Sequence, residues 1–366
     1  MKPETEGELA EVVAGLSGPV RIVGGGTRDV TGSEPILNTA GLSGITLYEP
    51  GALTLVAQAG TPVAEIEAAL EAEGQQLAFE PMDHRGLMGT SGEPTIGGVV
   101  AANISGPRRI QAGACRDFLL GVRYVDGCGQ IVKNGGRVMK NVTGYDLVKL
   151  MAGSWGTLGV LSQVSLKVLP KPEATLTLAV HVQNAKTAIQ ALSVALSSPF
   201  EVSAAAYDPQ YSSALLRLEG FADSVTYRET RLRSELANFG EFTEVQDPVS
   251  QWRSIRDVSA FQGSDGDVWR ISVKPSDASE IATRAEAEKT IFDWGGGLVW
   301  ALVPKGTDLR KRLRAFQGHA TLVRADTDTV RTLGRFQPES VGVAALTRGL
   351  RQKFDPRGIF NPDLMG

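Results

Sequence analysis

The sequence predicts an α+β protein: a glycine-rich first domain, then a smaller domain with one antiparallel sheet covered by helices. Three observations carry this. Apolar residues recur at strand and helix spacings in turn along the chain. Of 42 glycines, 28 fall in the first 160 residues and none between 160 and 219. The region after that break reads in the order βαββαβ, the split ferredoxin-like arrangement. With Pro170-Lys171-Pro172 inside the glycine-free interval, the expected division is 1–171, 172–335 (its first half ferredoxin-like), and a segment 336–366 that returns to the first domain.

Taken in order, residues 6–16 place Leu9, Val12, Val13 and Leu16 at helical spacing, and 19–23 form a short strand running into Gly24-Gly25-Gly26. Strands at 46–48 and 53–59 flank the turn Glu49-Pro50-Gly51-Ala52. Thr61 is expected to cap a helix with Pro62 at its first position, Gly74 after its end, and Val63, Ile66 and Leu70 buried. Residues 118–125 and 130–133 form a hairpin across Asp126-Gly127-Cys128-Gly129. Strands are expected at 175–182, 201–207, 214–219 and 241–245, with helices at 185–196 and 224–239. Further on come helices at 249–258, 277–291 and 308–316 and strands at 268–273, 298–303 and 320–324. The turn-rich tail 354–362 holds Phe354, Ile359 and Phe360, so it is expected to dock on a core.

Two stretches carry the chemistry. One runs from Val23 through Gly24-Gly25-Gly26-Thr27 to Arg28; the other runs from Pro94-Thr95-Ile96-Gly97-Gly98 to Asn103, then Gly106 and Arg109. Glycines let backbone approach a ligand closely, and successive N–H groups in such turns make a concave anion site. Together they read as two halves of a diphosphate cradle. No Gly-Lys dipeptide occurs, which excludes a Walker loop, and Asp29 stands where a Rossmann fingerprint needs its third glycine.

The totals bound the partners. At 42% hydrophobic and 21% charged residues, with net charge −4 and pI near 5.6, the chain has no electrostatic footprint for nucleic acid. The start has no apolar core for a signal peptide, and no run approaches the ~20 apolar residues of a spanning helix. A cytoplasmic chain is expected, at a membrane only peripherally through a partner. Cys115 and Cys128 fit reduced thiols, and His84, His181 and His319 lie too far apart in sequence to suggest a metal site.

The order Gly24-Gly25-Gly26-Thr27, Glu49-Pro50-Gly51, Thr95-Ile96-Gly97-Gly98 to Asn103, Arg116-Asp117, Asp126-Gly127, Gly144-Tyr145-Asp146-Leu147 and Gly153-Ser154 to Gly159, with the tail 354–362, resembles the FAD-binding domain of the vanillyl-alcohol oxidase, or p-cresol methylhydroxylase (PCMH), superfamily. The likeness covers 18–170 and 350–364. Within it, Lys140-Asn141-Val142-Thr143-Gly144-Tyr145-Asp146-Leu147 and the compact second domain resemble the FAD-binding subunits of glycolate oxidase.

That resemblance implies a two-subdomain PCMH-type FAD-binding domain plus a cap domain, and oxidation of glycolate to glyoxylate beside a second flavin subunit and an iron–sulfur subunit. It implies that Gly24, Gly25, Gly26 and Thr27 donate to the FAD diphosphate and that Thr95, Gly97, Gly98 and Asn103 line its other side. Gly106 and Arg109 would lie at the ribityl or flavin end, Gly159 and Val160 at the adenine, and Thr143, Gly144, Tyr145 and Asn361 near the cofactor. His84 and Cys115 are the residues near the cradle of the types that tether FAD in this superfamily; non-covalent FAD is expected.

Oxidising a 2-hydroxy acid needs a base, a cation for the carboxylate, and a hydride acceptor. His84 is a base candidate, although an exposed loop histidine is its simpler reading. Arg256, Arg270 and Arg324 are carboxylate-clamp candidates, each with a surface ion pair as the simpler reading. His181 and His319 are expected to be structural. Two other functions stay open from sequence: a self-sufficient FAD oxidoreductase of another alcohol or 2-hydroxy acid, and a non-catalytic assembly subunit.

Overall fold

A computed structural model of the chain describes residues 1–28, 32–138, 144–362, 364 and 365. Its first unit comprises 1–105, 113–171 and 338–366; its second comprises 106–112 and 172–337.

In the first unit, β1 (Arg21–Val23) pairs in parallel with β2 (Ile36–Asn38). The main sheet is built from β3 (Ile45–Glu49) and β4 (Thr54–Gln58). A short β5 (Gln75–Gln76) lies apart from it. β6 (Leu119–Val125), β7 (Ile131–Gly135) and β8 (Val160–Lys167) complete the sheet in the antiparallel order β3-β4-β8-β6-β7, and β9 (Leu169–Pro170) pairs with β5. The β6–β7 turn is closed by the Asp126 carboxylate, which accepts from the N–H groups of Cys128 and Gln130.

Helix Val63–Ala72 buries Val63, Ile66 and Leu70 as the spacing predicts. Its cap differs: Pro62, with extended ψ, holds the N-cap position. The Thr61 hydroxyl instead donates to the Gln58 carbonyl and accepts from the Gly44 N–H. The tail docks. Ile359 and Phe360 are buried with Leu9, Val13, Val20, Val125 and Val160. The Arg357 guanidinium donates to the carbonyls of Val13, Ala14, Leu16 and Gly127, collecting acceptors left at the end of helix Glu6–Ala14. Arg357→Ala is expected to lower unfolding free energy by about 2 kcal/mol, measured by urea denaturation.

The second unit holds one eight-stranded antiparallel sheet. Its strands are β10 (Ala174–His181), β11 (Ala204–Asp208), β12 (Ser213–Gly220), β13 (Phe242–Glu244), β14 (Asp267–Val273), β15 (Lys289–Asp293), β16 (Leu298–Val303) and β17 (Gly318–Arg324). The spatial order is β13-β10-β12-β11-β15-β16-β14-β17. The first four strands, with helices Ala185–Ser197 and Ala222–Leu236, form the expected βαββαβ unit. The last four, with helices Ala278–Ala285 and Leu309–Leu313, repeat it with the same strand order. The halves join edge to edge where Tyr207 pairs with Phe292, ring centroids 5.8 Å apart. Sequence reading missed this second half by running one helix through 277–291. The helix stops at Ala285 because Glu286 turns left-handed (φ 45°), and 289–293 becomes a strand. On β14, Trp269, Ile271 and Val273 enter the core under the helices. Strand alternation puts Arg270 and Ser272 on the opposite face, Arg270 beside Trp300 and Thr321, Ser272 beside His319.

Candidate functional site

The two glycine stretches converge. Gly24, Gly25, Gly26 and Thr27 line the same cleft of the first unit as Thr95, Gly97 and Gly98. Each glycine is required for its own reason. A Cβ on Gly25 would sit 1.5 Å from the Glu93 carbonyl oxygen, and one on Gly97 2.7 Å from that of Ala59, so these two let main chain pack on main chain. A Cβ on Gly98 would instead meet cleft-lining side chains, 2.8 Å from an Arg28 guanidinium nitrogen and 3.2 Å from the Thr95 hydroxyl. Thr95 caps the short helix Ile96–Ala101, its hydroxyl accepting from Gly98 N–H.

Arg28 also lines the cleft. Its guanidinium lies 5.9 Å from the Trp155 ring and has no hydrogen-bond partner among the described residues. Burial pulls its pKa down to about 10. An anion with several oxygen acceptors is the group this arrangement lacks; the donor set fits the diphosphate of FAD. Asn361 fastens the tail to the cleft wall: its side-chain oxygen accepts from Ile22 N–H at 2.7 Å and its amide donates to the Trp155 carbonyl at 2.7 Å. Gly159 lines the cleft too.

The other described residues expected at the cofactor do not line this cleft. Val160 is buried among Val125, Leu37 and Phe360. The Asn103 side chain accepts from Arg116 N–H. Gly144 takes a positive φ of 80°, Tyr145 is 88% exposed, and both lie outside the cleft lining. Thr143, with the 140–142 motif preceding it, lies outside the described residues. Gly106 and Arg109 belong to the second unit, where the Gly106 carbonyl accepts from the Trp294 indole. Sequence reasoning placed Arg28 in the cradle stretch and Trp155 in the Gly153 to Gly159 motif without giving either a role of its own. For Arg28 the signal is its position at the end of the glycine run; for Trp155 it is the glycines on either side of that motif.

His84 is buried rather than loop-exposed, one ring nitrogen 3.2 Å from the Met82 carbonyl oxygen. Cys115 is buried, and burial pushes its thiol pKa up, away from the thiolate a covalent tether needs. Arg324 donates to the carbonyls of Phe261, Ser264 and Gly266, and Arg256 holds Asp257 at 2.8 Å. Both are committed to holding local structure. Arg270 makes no hydrogen bond among the described residues and lies 5.0 Å from the Trp294 ring. Among the described residues no His, Cys, Asp and Glu cluster suits a metal, and no helix is long and apolar enough to cross a membrane.

A family model described as an FAD binding domain matches residues 1–135. The chain is 39% identical over 344 residues to the glycolate oxidase subunit GlcE of Escherichia coli (strain K12), covering 92% of this chain and 88% of that one. It is 36% identical over 141 residues to the glycolate oxidase subunit GlcD of Bacillus subtilis (strain 168), covering 38% of this chain and 28% of that one. A solved alkyldihydroxyacetonephosphate synthase superposes with a TM-score of 0.73 at 16% identity, covering 99% of this chain and 76% of that one. It shares the fold.

Proposed function

Since the chain belongs to the family of the glycolate oxidase subunit GlcE, we propose that it is the FAD-binding subunit of a heteromeric glycolate oxidase. FAD, when bound, supplies the hydride acceptor for oxidation of an alcohol carbon. The chain's own contribution is to hold and orient it. Gly24 to Thr27 present main chain to one side of the diphosphate, Thr95, Gly97 and Gly98 to the other, and Arg28 supplies the positive charge between them. The observation that carries this reading is the meeting of both glycine turns, with an Arg28 guanidinium that lacks a hydrogen-bond partner among the described residues, on one cleft. The remaining partners in this reading are a second flavin subunit, whose likeness to this chain is suggested by the GlcD match, and an iron–sulfur subunit that takes the electrons. The complex sits in the cytoplasm, peripheral at the membrane through those partners.

The test is an absorption spectrum of the purified chain before and after acid precipitation. One flavin per chain is expected, all of it released to the supernatant. Flavin in the pellet would overturn non-covalent binding; a colourless chain that takes up no FAD on reconstitution would overturn the function.

A further inference from the structure

We infer that Arg109 and Arg270, which flank Trp294 in the second unit, form with the neighbouring His319 a binding site for a small monocarboxylate. Trp294 follows β15 in a left-handed conformation (φ 55°) and is fixed at both ends. Its N–H donates to the Asp293 carboxylate at 2.7 Å, and its indole donates to the Gly106 carbonyl at 3.0 Å. Two guanidinium groups lie against that one ring, Arg109 at 4.5 Å and Arg270 at 5.0 Å from its centroid. Like charges gathered on one ring repel, and the cation–π attraction leaves the N–H donors of Arg270 unsatisfied.

The neighbouring Arg108 shows what a structural arginine looks like here: it grips Glu219 with two hydrogen bonds of 3.0 and 2.7 Å. Arg270 hydrogen-bonds no carboxylate among the described residues and offers its planar fork to one from outside. Neither group is sealed in the core, since Arg270 is partly exposed and His319 exposed. Strand alternation puts the hydroxyls of Ser272 and Thr321 on the same face.

The charge balance selects the ligand. Among the described residues, Arg109 opposes the charge on Arg270 and the Asp293 carboxylate supports it. Desolvation, then Arg270 and Arg109, hold His319 below its ordinary pKa, so its ring is neutral near pH 7 and serves as a hydrogen-bonding group. A concentration of guanidinium charge at one ring favours an anion, and a monocarboxylate is the smallest that the planar fork of Arg270 takes bidentately. The inference rests on the proposed function only where it takes a 2-hydroxy acid as the carboxylate.

Isothermal titration of the full chain with sodium glycolate, and with ethylene glycol as the same-sized molecule without a carboxylate, tests it. Glycolate is expected to bind and ethylene glycol not. Arg270→Met and Arg109→Met are each expected to weaken glycolate by about tenfold or more, with Arg270→Lys recovering part of the loss. Wild-type affinity in both methionine variants, or no glycolate binding by a folded wild-type chain, would overturn the site. Should Arg270→Met fail to fold, Arg109→Met and Arg270→Lys decide alone. Flavin content is measured on the same samples. A chain that keeps flavin but binds no glycolate refutes this site and leaves the proposed function standing. A chain that binds glycolate but takes up no FAD on reconstitution supports the site and refutes that function.

Discussion

Gly98→Val is expected to give a folded chain that retains no flavin. Gly98 lies inside helix Ile96–Ala101, where valine strains no left-handed backbone, so the helix tolerates the side chain. The Cβ, however, would project to within 2.8 Å of Arg28 and 3.2 Å of the Thr95 hydroxyl, and both residues line the cleft. The two methyl groups beyond it fill the space through which main-chain donors reach the ligand. Flavin affinity should fall by at least ~100-fold, about 3 kcal/mol, read as flavin absorbance per chain after gel filtration, with the melting temperature near wild type. Gly25→Ala is the contrasting control. Its Cβ would stand 1.5 Å from the Glu93 carbonyl, so that variant loses the fold as well as the flavin. Stoichiometric flavin in Gly98→Val would contradict the cradle.

Much of this site was legible because glycine is a chemically explicit letter. Where backbone meets backbone or ligand, other side chains collide, and the Gly24 to Gly26 and Gly97–Gly98 runs mark such places in the sequence itself. The tail was legible for a related reason: Ile359 and Phe360 are too apolar for a loose end, and both are buried. The duplicated half-sheet was not. Ile281, Ala285 and Ile291 keep an apolar rhythm across the break, and Glu286 enters the left-handed region without a glycine or proline to announce it. Nor could spacing show that the chain leaves the first unit for only seven residues, 106–112, and carries Arg109 to a tryptophan 185 positions on. An isolated arginine reads as a solvated cation by default. Distinguishing Arg28 and Arg270 from Arg324 took the partners of each guanidinium, which only the folded chain supplies.

Arg28→Met separates ligand binding from stability, because its two effects carry opposite signs. Burial holds the Arg28 pKa at about 10, below the ordinary 12.5. A cation whose pKa is lower folded than unfolded weighs against the fold throughout the pH range below the folded value, so at pH 7 this charge destabilises the flavin-free chain. Methionine keeps an apolar stem of similar length and removes that cost. The flavin-free variant should therefore melt at or above the wild-type temperature. Flavin binding should move the other way. A diphosphate turns the same desolvated guanidinium into a charge-assisted hydrogen-bonding partner, and losing it should weaken flavin by roughly 10- to 100-fold. Arg28→Lys restores the charge without the planar fork and should fall between the two. Salt supplies an independent readout: wild-type flavin affinity should decline with ionic strength more steeply than that of Arg28→Met, since part of the attraction has become neutral. Paired thermal melts of flavin-free protein and flavin titrations at two salt concentrations read both signs. Wild-type flavin affinity in Arg28→Met would remove Arg28 from the diphosphate site, and a lower flavin-free melting temperature would show that the guanidinium holds the fold instead.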